Sequence, residues 1–207
     1  MHNPKIFLRG AGSQAKVILE ILEVLKQQCA GIFDDNPDIK DVLGYPVLGS
    51  WDPALMSEDA KMILAIGNNA VRKKLAETMV CEWATAIHPS ANISTRCSIG
   101  PGTVVMAGVS INTCAVIGSH AIINTNASVD HDCKVGDYVH ISPNAALAGH
   151  VTVGEGTHIG LGSSVKQGVT IGRWSVIGAG TVVIRDVPDN VVVVGNPGRI
   201  LKSNVQL

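Results

Sequence analysis

The chain has 207 residues, enough for one large or two small domains, and a formal net charge of −1 at pH 7. The near-neutral charge without a basic cluster argues against nucleic-acid binding, and no apolar run is long enough to span a bilayer. Residues 1–25 lack the layout of a signal peptide. The five cysteines are odd in number and scattered, which favours reduced thiols in a cytoplasmic protein.

The first part of the chain, residues 1–82, has the pattern of a small parallel α/β unit. Short β-rich runs alternate with segments whose apolar residues have helical spacing. The predicted elements are strands at 5–8, 30–33 and 62–66, a helix from Ser13 to about Leu25, a helix ending near Cys81, an extended piece at 46–48 and a short helix within 51–56. The helical spacing ends near Glu82, which sets the boundary to a second domain at 83–207.

A glycine-rich turn lies between the first strand and the first helix. Its pattern, Gly10-x-Gly12-x-x-Ala15, is typical of a loop whose amides and helix N-terminus face a phosphate. An acidic pair, Asp34 and Asp35, ends the second strand, where carboxylates often accept hydrogen bonds from a ribose. Two interpretations stay open, a nucleotide site and an ordinary tight turn, and the unit is too short for a full dinucleotide fold.

The second part repeats with a period of six residues. An aliphatic residue occupies every sixth position without a break: Ile87, Ile93, Ile99, Val105, Ile111, Ile117, Ile123, Val129, Val135, Ile141, Leu147, Val153, Ile159, Val165, Ile171, Ile177 and Val183. A small or β-branched residue follows four places after each, and glycine often follows directly, as in Ile99-Gly100. This period fits neither a helix nor an alternating strand, and it indicates a hexapeptide β-helix.

Three hexads close one triangular coil, so residues eighteen apart stack on one another. The aliphatic residues point inward, the small residues fill the corners, and glycine supplies turn conformations that a Cβ would disfavour. Seventeen hexads give nearly six coils, or a prism roughly 27 Å tall at the spacing of adjacent strands. A β-sandwich with regular turns is the alternative, but it would not keep so strict a period.

His131 lies between two carboxylates in a polar interruption, Asp130-His131-Asp132. By the eighteen-residue stacking, Gly149 lies one coil above His131, and His150 one coil above Asp132. Such a histidine can act as a general base oriented by an acid, or it can be an ordinary exposed turn residue. Metal binding is a third possibility, because His140 and His158 also stack, but no closely spaced third histidine accompanies them.

The whole chain resembles the hexapeptide-superfamily sugar acetyltransferases that carry an N-terminal nucleotide-sugar domain. These include the bacillosamine-type and GDP-perosamine N-acetyltransferases and the sialic acid O-acetyltransferases. The matching stretches are 10–15, 33–35, 65–69 with Arg72, Asn124-Thr125, 130–132 and the closing Val194-Gly195-Asn196-Pro197-Gly198-Arg199. One departure is Ser13-Gln14-Ala15, where the family usually has Gly-His-Gly. The resemblance implies a left-handed parallel β-helix after the α/β unit.

The resemblance also implies a reaction. Acetyl-CoA would lie between two prisms of a homotrimer, and His131, oriented by Asp132, would take a proton from the 4-amino group of a UDP- or GDP-linked deoxysugar. An amide near Gly149 would stabilise the oxyanion, no metal would take part, and Cys133 would fill a corner. The implied substrate-binding residues are Gly10, Gly12, Ser13, Gln14, Asp34, Asp35, Gly67, Asn68, Asn69 and Asn124. The implied acetyl-CoA-binding residues are His140, Gly149, Gly162, Ala179, Gly180, Pro197 and Arg199.

Two other functions stay open at this point. The same base could serve an O-acetyltransferase acting on sialic acid or a related sugar, which would leave the N-terminal domain without an obvious ligand. A non-catalytic trimeric β-helix scaffold would leave both the Asp130-His131-Asp132 segment and the closing Gly-Asn-Pro-Gly segment without a role.

Overall fold

The computed structural model describes residues 4–57 and 59–204. Its first unit is a four-stranded parallel sheet with the strand order β2-β1-β5-β6. In chain order the elements are β1 (Ile6–Arg9), α1 (Ser13–Val24), β2 (Cys29–Phe33), β3 (Asp41–Val42), β4 (Tyr45–Pro46), a 3-10 helix (Pro53–Leu55), β5 (Lys61–Leu64), α2 (Asn69–Thr78) and β6 (Glu82–Trp83). Strands β3 and β4 form a separate antiparallel pair.

These elements confirm the predicted order, with ends displaced by a few residues. All four residues of β1 are buried, and the buried face of α1 has the predicted helical spacing. The short helix predicted within 51–56 is a single 3-10 turn, begun by the Asp52 side chain accepting from the Ala54 amide. Strand β6 pairs with β5, so the sheet of the first unit extends through Trp83.

The second unit is a β-helix of two-residue strands, each ending at one of the seventeen predicted aliphatic positions. These strands are β7 (Ala86–Ile87), β8 (Asn92–Ile93), β9 (Ser98–Ile99), β10 (Val104–Val105), β11 (Ser110–Ile111), β12 (Val116–Ile117), β13 (Ile122–Ile123), β14 (Ser128–Val129), β15 (Lys134–Val135), β16 (His140–Ile141), β17 (Ala146–Leu147), β18 (Thr152–Val153), β19 (His158–Ile159), β20 (Ser164–Val165), β21 (Thr170–Ile171), β22 (Val176–Ile177) and β23 (Val182–Val183). Two longer strands follow, β24 (Val191–Val194) and β25 (Arg199–Ser203).

From β7 to β20, each strand pairs in parallel with the strand eighteen residues further on, as the period predicts. The result is a prism with three faces, defined here by their strands. Face 1 contains β7, β10, β13, β16, β19, β22 and β24, with β25 antiparallel at its end; face 2 contains β8, β11, β14, β17, β20 and β23; face 3 contains β9, β12, β15, β18 and β21. Strand β24 adds a seventh layer to face 1, one more than the seventeen hexads alone predict.

The prism interior is filled by the aliphatic positions and by the small residues four places after them. Ala115, Ala121, Cys133 and Ala145 at the corner positions are all fully buried. A larger side chain there would overpack a core that the fixed coil spacing cannot enlarge. All five cysteines are free thiols in the structure.

Glycine supplies turn conformations as predicted, but not at the positions directly after the aliphatic residues. The left-handed backbone conformation recurs every six residues, but three places after the aliphatic, at Gly102 and Gly108 and also at Cys114, Asp132 and other non-glycine residues. The glycines directly after the aliphatic are needed for another reason. A Cβ on Gly118 would lie 2.6 Å from the Asp137 backbone nitrogen of the next coil, so only glycine allows this approach.

The two units pack along face 1. Helix α1 contacts the first coils there, and its buried side chains share one apolar cluster with Ala86, Val104, Met106 and Ile122. Further up the same face, the outward positions become polar, at His140 and His158. The α/β unit therefore covers the lower part of face 1 and leaves these histidines beside the N-terminus of α2.

The side chains of Arg72 and Asn69 on α2 bind a column of backbone carbonyls at the corner between faces 3 and 1. Arg72, only 1% exposed, donates through Nε to the His120 carbonyl and through Nη2 to the Tyr138 carbonyl, both at 2.8 Å. Asn69 Nδ2 donates to the Gly156 carbonyl at 3.0 Å. These three carbonyls stack at intervals of eighteen residues, so two side chains fix α2 to three successive coils.

Candidate active site

The corner between faces 2 and 3 carries the polar segment that contains His131. The side chains of His131 and Asp132 are 42% and 44% exposed, and His131 Nδ1 lies 2.8 Å from Asp132 Oδ2. Since a carboxylate only accepts, Nδ1 carries the proton and the lone pair is on Nε2. The hydrogen bond to Asp132 is the main cause of a raised pKa for His131, which strengthens it as a base.

Asp130 fixes the backbone on the other side of this histidine. Its Oδ1 accepts from the His131 amide and from Asn112 Nδ2 one coil below, both at 2.7 Å. The hydrogen bond from Asn112 is the main reason why the pKa of Asp130 is lowered. The segment is therefore held by a contact between coils, and the His131 side chain leaves from a fixed backbone.

Gly149 lies directly against the His131 ring, as the eighteen-residue stacking predicts. A Cβ at this position would come within 2.6 Å of His131 Nε2, so any other residue would cover the basic nitrogen. The Gly149 carbonyl accepts from the Gly168 amide. Among the described residues, no backbone carbonyl accepts from the Gly149 amide, which leaves that N–H available to an oxyanion.

His150 approaches the same carboxylate from the coil above. Its Nε2 lies 3.9 Å from Asp132 Oδ2, and its ring meets the His131 ring edge-on with centroids 5.1 Å apart. The structure thus gives Asp132 both of the neighbours expected from the sequence, with His131 the closer one. Ligand atoms of His131, Asp132 and His150 all lie within 4.8 Å of one another.

A groove of about 350 Å³ runs along face 2 next to Asp130. Its floor consists of the outward residues of successive strands, which are small: Ser128, Ala146 and Ser164. Asn112 and Ala148 line it beside the His131 corner. A narrow extended molecule can therefore lie along the prism and pass beside the His131 corner.

His140 and His158 form a separate pair on face 1. Their rings stack with centroids 4.8 Å apart, and Nε2 of each is paired, with Asn124 Nδ2 at 3.0 Å for His140 and with Ser142 Oγ at 2.7 Å for His158. Burial lowers the pKa of His140 to about 3 and also lowers that of His158. Because Asn124 Nδ2 donates to it, His140 Nε2 is an occupied acceptor rather than an open base.

The glycine-rich loop of the first unit has the shape that its sequence predicts. Gly10 has a φ of +109°, and a Cβ there would lie 2.5 Å from the Ile66 side chain, so glycine is required. Gly12 is the exposed N-cap of α1, and a Cβ there would meet no other atom within 4 Å. Asp34 Oδ2 accepts from the Ala11 amide at 2.7 Å, which ties the end of β2 to this loop.

The other predicted residues of this edge differ in exposure. Ser13 and Asp35 are exposed, whereas Gln14 is partly buried and its Nε2 has no hydrogen-bond partner among the described residues. Asp35 forms an ion pair with Arg9, and this contact lowers the pKa of the Asp35 carboxyl. The carboxyl ends of β1 and β2 thus present a serine hydroxyl and an ion pair, with the unpaired Gln14 amide buried beneath the loop.

The predicted residues at the start of α2 divide into two groups. Gly67 and Asn68 are exposed, and Asn68 Oδ1 accepts from the Val71 amide as the helix N-cap. Asn69 is 8% exposed, and its amide is committed to the Gly156 carbonyl and to Arg72. Its side chain therefore lies in the contact between the units and is not on the open surface where a substrate-binding side chain was expected.

The predicted acetyl-CoA residues beyond Gly149 lie in the upper coils and at the end of the prism. Gly162 and Gly180 are exposed left-handed turn residues eighteen apart, and Ala179 is exposed beside Gly180. Pro197 is exposed in the turn between β24 and β25, and Arg199 begins β25 on the rim of a cavity of about 250 Å³. These residues form an exposed strip, far along the chain from His131.

The structural roles of Arg72 and His120 were not predicted from the sequence. Arg72 was named only within the family resemblance, and His120 was not named. His120 stacks on Tyr138 at 5.5 Å and contacts Trp83 edge-on at 4.7 Å, beside Arg72. The one signal in the sequence for the contact of α2 with the prism is the spacing of Asn69 and Arg72, one turn apart at the start of a helix.

In the described residues, no helix has the length and apolarity to span a membrane.

Known protein families and solved structures match both units of the chain. Residues 5–79 match the family model described as PglD N-terminal domain, and residues 114–149 match the bacterial transferase hexapeptide (six repeats). A mutant of perosamine N-acetyltransferase from Caulobacter crescentus, solved with CoA and GDP-perosamine, is 41% identical with a TM-score of 0.90, and the match covers 95% of this chain and 96% of that one. The chain belongs to the family of hexapeptide-repeat nucleotide-sugar N-acetyltransferases.

Other members of the family agree. The acetyltransferase domain of PglB from Neisseria gonorrhoeae, solved with acetyl coenzyme A, is 35% identical with a TM-score of 0.90, covering 97% of this chain and all of that one. UDP-N-acetylbacillosamine N-acetyltransferase of Bacillus subtilis is 43% identical over 108 residues, so the match spans 47% of this chain and about half of that relative (49%). The predicted fold class, an α/β unit followed by a left-handed parallel β-helix, is confirmed.

Proposed function

We propose that this chain transfers the acetyl group of acetyl-CoA to the amino group of a nucleotide-linked amino deoxysugar. The observation that carries the proposal is the arrangement at His131. Asp132 Oδ2 accepts the hydrogen bond from His131 Nδ1 at 2.8 Å, and Gly149 has no side chain that would cover the Nε2 lone pair. A base of raised pKa, an oriented ring and a free amide then meet beside a groove.

These groups account for each step of the transfer. The amine nitrogen attacks the thioester carbon, the new N–C bond forms, and the Gly149 amide donates to the developing oxyanion. His131 Nε2 takes the proton released by the nitrogen, and Asp132 stabilises the resulting imidazolium. The C–S bond then breaks, and the CoA sulfur leaves with that proton. No covalent acyl-enzyme and no metal take part.

The two ends of the reaction are supplied by different parts of the chain. We assign the nucleotide to the loop edge of the first unit, with Gly10, Gly12, Ser13, Gln14, Asp34, Asp35, Gly67 and Asn68, and Asn124 to the sugar end. We assign the CoA to the face 2 groove and the exposed strip, with Gly149, Gly162, Ala179, Gly180, Pro197 and Arg199. His140 is assigned to positioning, because it contacts both Asn124 and the Gly67 backbone.

The position of the base favours active sites between subunits. The α/β unit packs on face 1, whereas His131 lies at the corner between faces 2 and 3, which is opposite face 1 in a triangular coil. A nucleotide sugar held by one chain therefore lies across the prism from the His131 of the same chain. A homotrimer would bring the loop edge of one chain to the His131 corner of its neighbour.

The direct test is incubation of the protein with acetyl-CoA and a panel of UDP-, GDP- and dTDP-linked 4-amino sugars, each beside its 4-hydroxy counterpart. We expect CoA release and a product heavier by one acetyl group with an amino sugar, and none with its 4-hydroxy counterpart. Acetylation of free sialic acid or of the hydroxy sugars would favour an O-acetyltransferase instead. No acetylation of any acceptor would favour a scaffold.

A further inference from the structure

We infer that His131, Asp132 and His150 form a binding site for a divalent transition-metal ion of the zinc type, and that the bound ion inhibits the enzyme. The three side chains offer two imidazole nitrogens and one carboxylate oxygen within 4.8 Å of one another. An ion at the centre of such a group needs only small side-chain rotations to reach distances near 2.0–2.2 Å.

The backbone brings these ligands together before any ion arrives. Asp132 and His150 occupy the same left-handed turn position in adjacent coils, with φ values of 58° and 60°. The Asp132 amide donates to the Thr113 carbonyl at 3.1 Å, and the His150 amide donates to the His131 carbonyl at 2.9 Å. Adjacent coils cannot slide apart, so little chain ordering opposes binding.

The donor set selects the class of ion. Two imidazoles and a carboxylate suit Zn²⁺ and its neighbours Co²⁺ and Ni²⁺, whereas Mg²⁺ and Ca²⁺ prefer sites made only of oxygen. Three protein ligands leave a further position for water. His140 and His158 are a poorer pair of ligands, because hydrogen bonds to Asn124 and Ser142 already occupy Nε2 of each ring.

Binding at this site would remove the base required by the proposed function. The metal replaces the proton on His131 Nδ1, and the neutral ring then carries its one proton on Nε2. The lone pair that faces Gly149 is lost without any change in the CoA groove. Inhibition should therefore lower kcat and leave the KM for acetyl-CoA nearly unchanged.

The binding test uses the full chain without CoA, whose thiol would itself bind zinc. Titration with Zn²⁺ by calorimetry, and with Co²⁺ by visible absorption, should show one ion per chain. His150→Asn should raise the Kd at least about tenfold, and it should fold, because asparagine tolerates the left-handed conformation. His150→Gly serves as the second variant if the first does not fold.

Cys114→Ser is the matched control, because Cys114 is an exposed potential ligand in the same column, one coil below Asp132. It should bind Zn²⁺ like the wild type. No binding by the wild type, unchanged binding by both His150 variants, or loss of binding in Cys114→Ser would each overturn the site.

The inhibition test rests on the proposed function, and the binding test does not. Zn²⁺ should lower the kcat of the wild type reversibly on addition of EDTA, whereas His150→Asn should keep its basal kcat and resist the ion. A protein that binds zinc but shows no acetyl transfer would refute the proposed function and leave the site standing. An active protein in which bound zinc leaves kcat unchanged would refute the inhibition.

Discussion

Asp132 has two imidazole neighbours, and their distances decide which one it serves. His131 Nδ1 lies 2.8 Å from the carboxylate, within hydrogen-bond range, whereas His150 Nε2 lies 3.9 Å away and is outside it. All three side chains are about half exposed, so their interactions add little to the stability of the fold. The effect of Asp132 should therefore be on the orientation of His131.

We predict that Asp132→Asn lowers kcat by less than the roughly hundredfold loss expected for removal of a general base. The amide keeps the size of the carboxylate and its oxygen can still accept from Nδ1, but it no longer carries the charge that stabilises the imidazolium. Steady-state kinetics and thermal melting would be measured beside Glu20→Gln, an exposed carboxylate change on α1. If Asp132→Asn lowers the melting temperature more than the rate, the carboxylate holds coils together instead.

His120 is a buried residue whose titration should affect folding. Burial is the main cause that lowers its pKa to about 4; the charge of Arg72 lowers it further, and Asp137 opposes this. Its ring also faces Trp83 and Tyr138. Between pH 6.5 and 4 the unfolded chain binds a proton at this residue and the native protein does not, so stability falls as the pH falls.

We predict that the wild type loses roughly 2 kcal/mol more stability than His120→Asn between about pH 7 and pH 5. Asparagine removes the titrating group and tolerates the left-handed conformation of this position, where φ is 52°. Denaturant unfolding at the two pH values measures the difference. Equal losses of stability in the two proteins would show that the pKa of His120 is the same in the native protein as in the unfolded chain.

At the scale of the elements, α2 is joined to the β-helix by Arg72. The guanidinium is fully buried without a carboxylate partner among the described residues, and it donates to four backbone carbonyls and to the Asn69 side chain. These partners compensate for burial of the charge, although desolvation lowers the pKa of Arg72 to about 10. The group links the helix, the loop before it and two coils of the prism.

We predict that Arg72→Met destabilises the protein by about 3 kcal/mol or more, because several buried carbonyls lose their donor. Arg185→Met, on an exposed arginine near the last coil, is the control and should have little effect. Denaturant unfolding measures both changes. A loss of less than about 1 kcal/mol in Arg72→Met would mean that the carbonyls find other donors, such as water.

The β-helix is the part of the fold that could be predicted most fully from the sequence. The period of six predicted every short strand and each pairing from Ile87 to Val183. This was possible because every coil repeats the same geometry, so the local sequence pattern also determines which strands are neighbours. The contact of His131 with Gly149 and the approach of His150 to Asp132 followed from the same count. Strand β24 was outside the count because its Val191–Val194 run no longer follows the hexads.

Contacts between the two units could not be predicted in this way. No sequence repeat continues from one unit into the other, so the position of α2 relative to the coils could not be counted from the sequence. Asn69 was expected at the substrate because the family resemblance covers residues 65–69. It faces the prism instead, since residue 69 is one position further around the helix start than Asn68. The groove on face 2 was also not predicted, because small outward residues carry no periodic signal of their own.

At the scale of the whole molecule, we predict a homotrimer with three times the 21.6 kDa mass of the chain. The prism exposes apolar residues such as Val116 and Leu161, and active sites between neighbours require contact of the β-helices. Sedimentation equilibrium at micromolar concentration measures the mass. A monomer would contradict the assembly and would leave the nucleotide loop of each chain opposite its own base.

The measurement that tests the proposed mechanism most directly is the kcat of His131→Ala with the best nucleotide amino sugar. We expect a loss of at least about a hundredfold, since the variant lacks the general base. The melting temperature and the trimer should be unchanged, because this side chain is 42% exposed. His88→Ala, another change of a turn histidine, is the control and should keep its activity. A near-normal kcat for His131→Ala would contradict the mechanism.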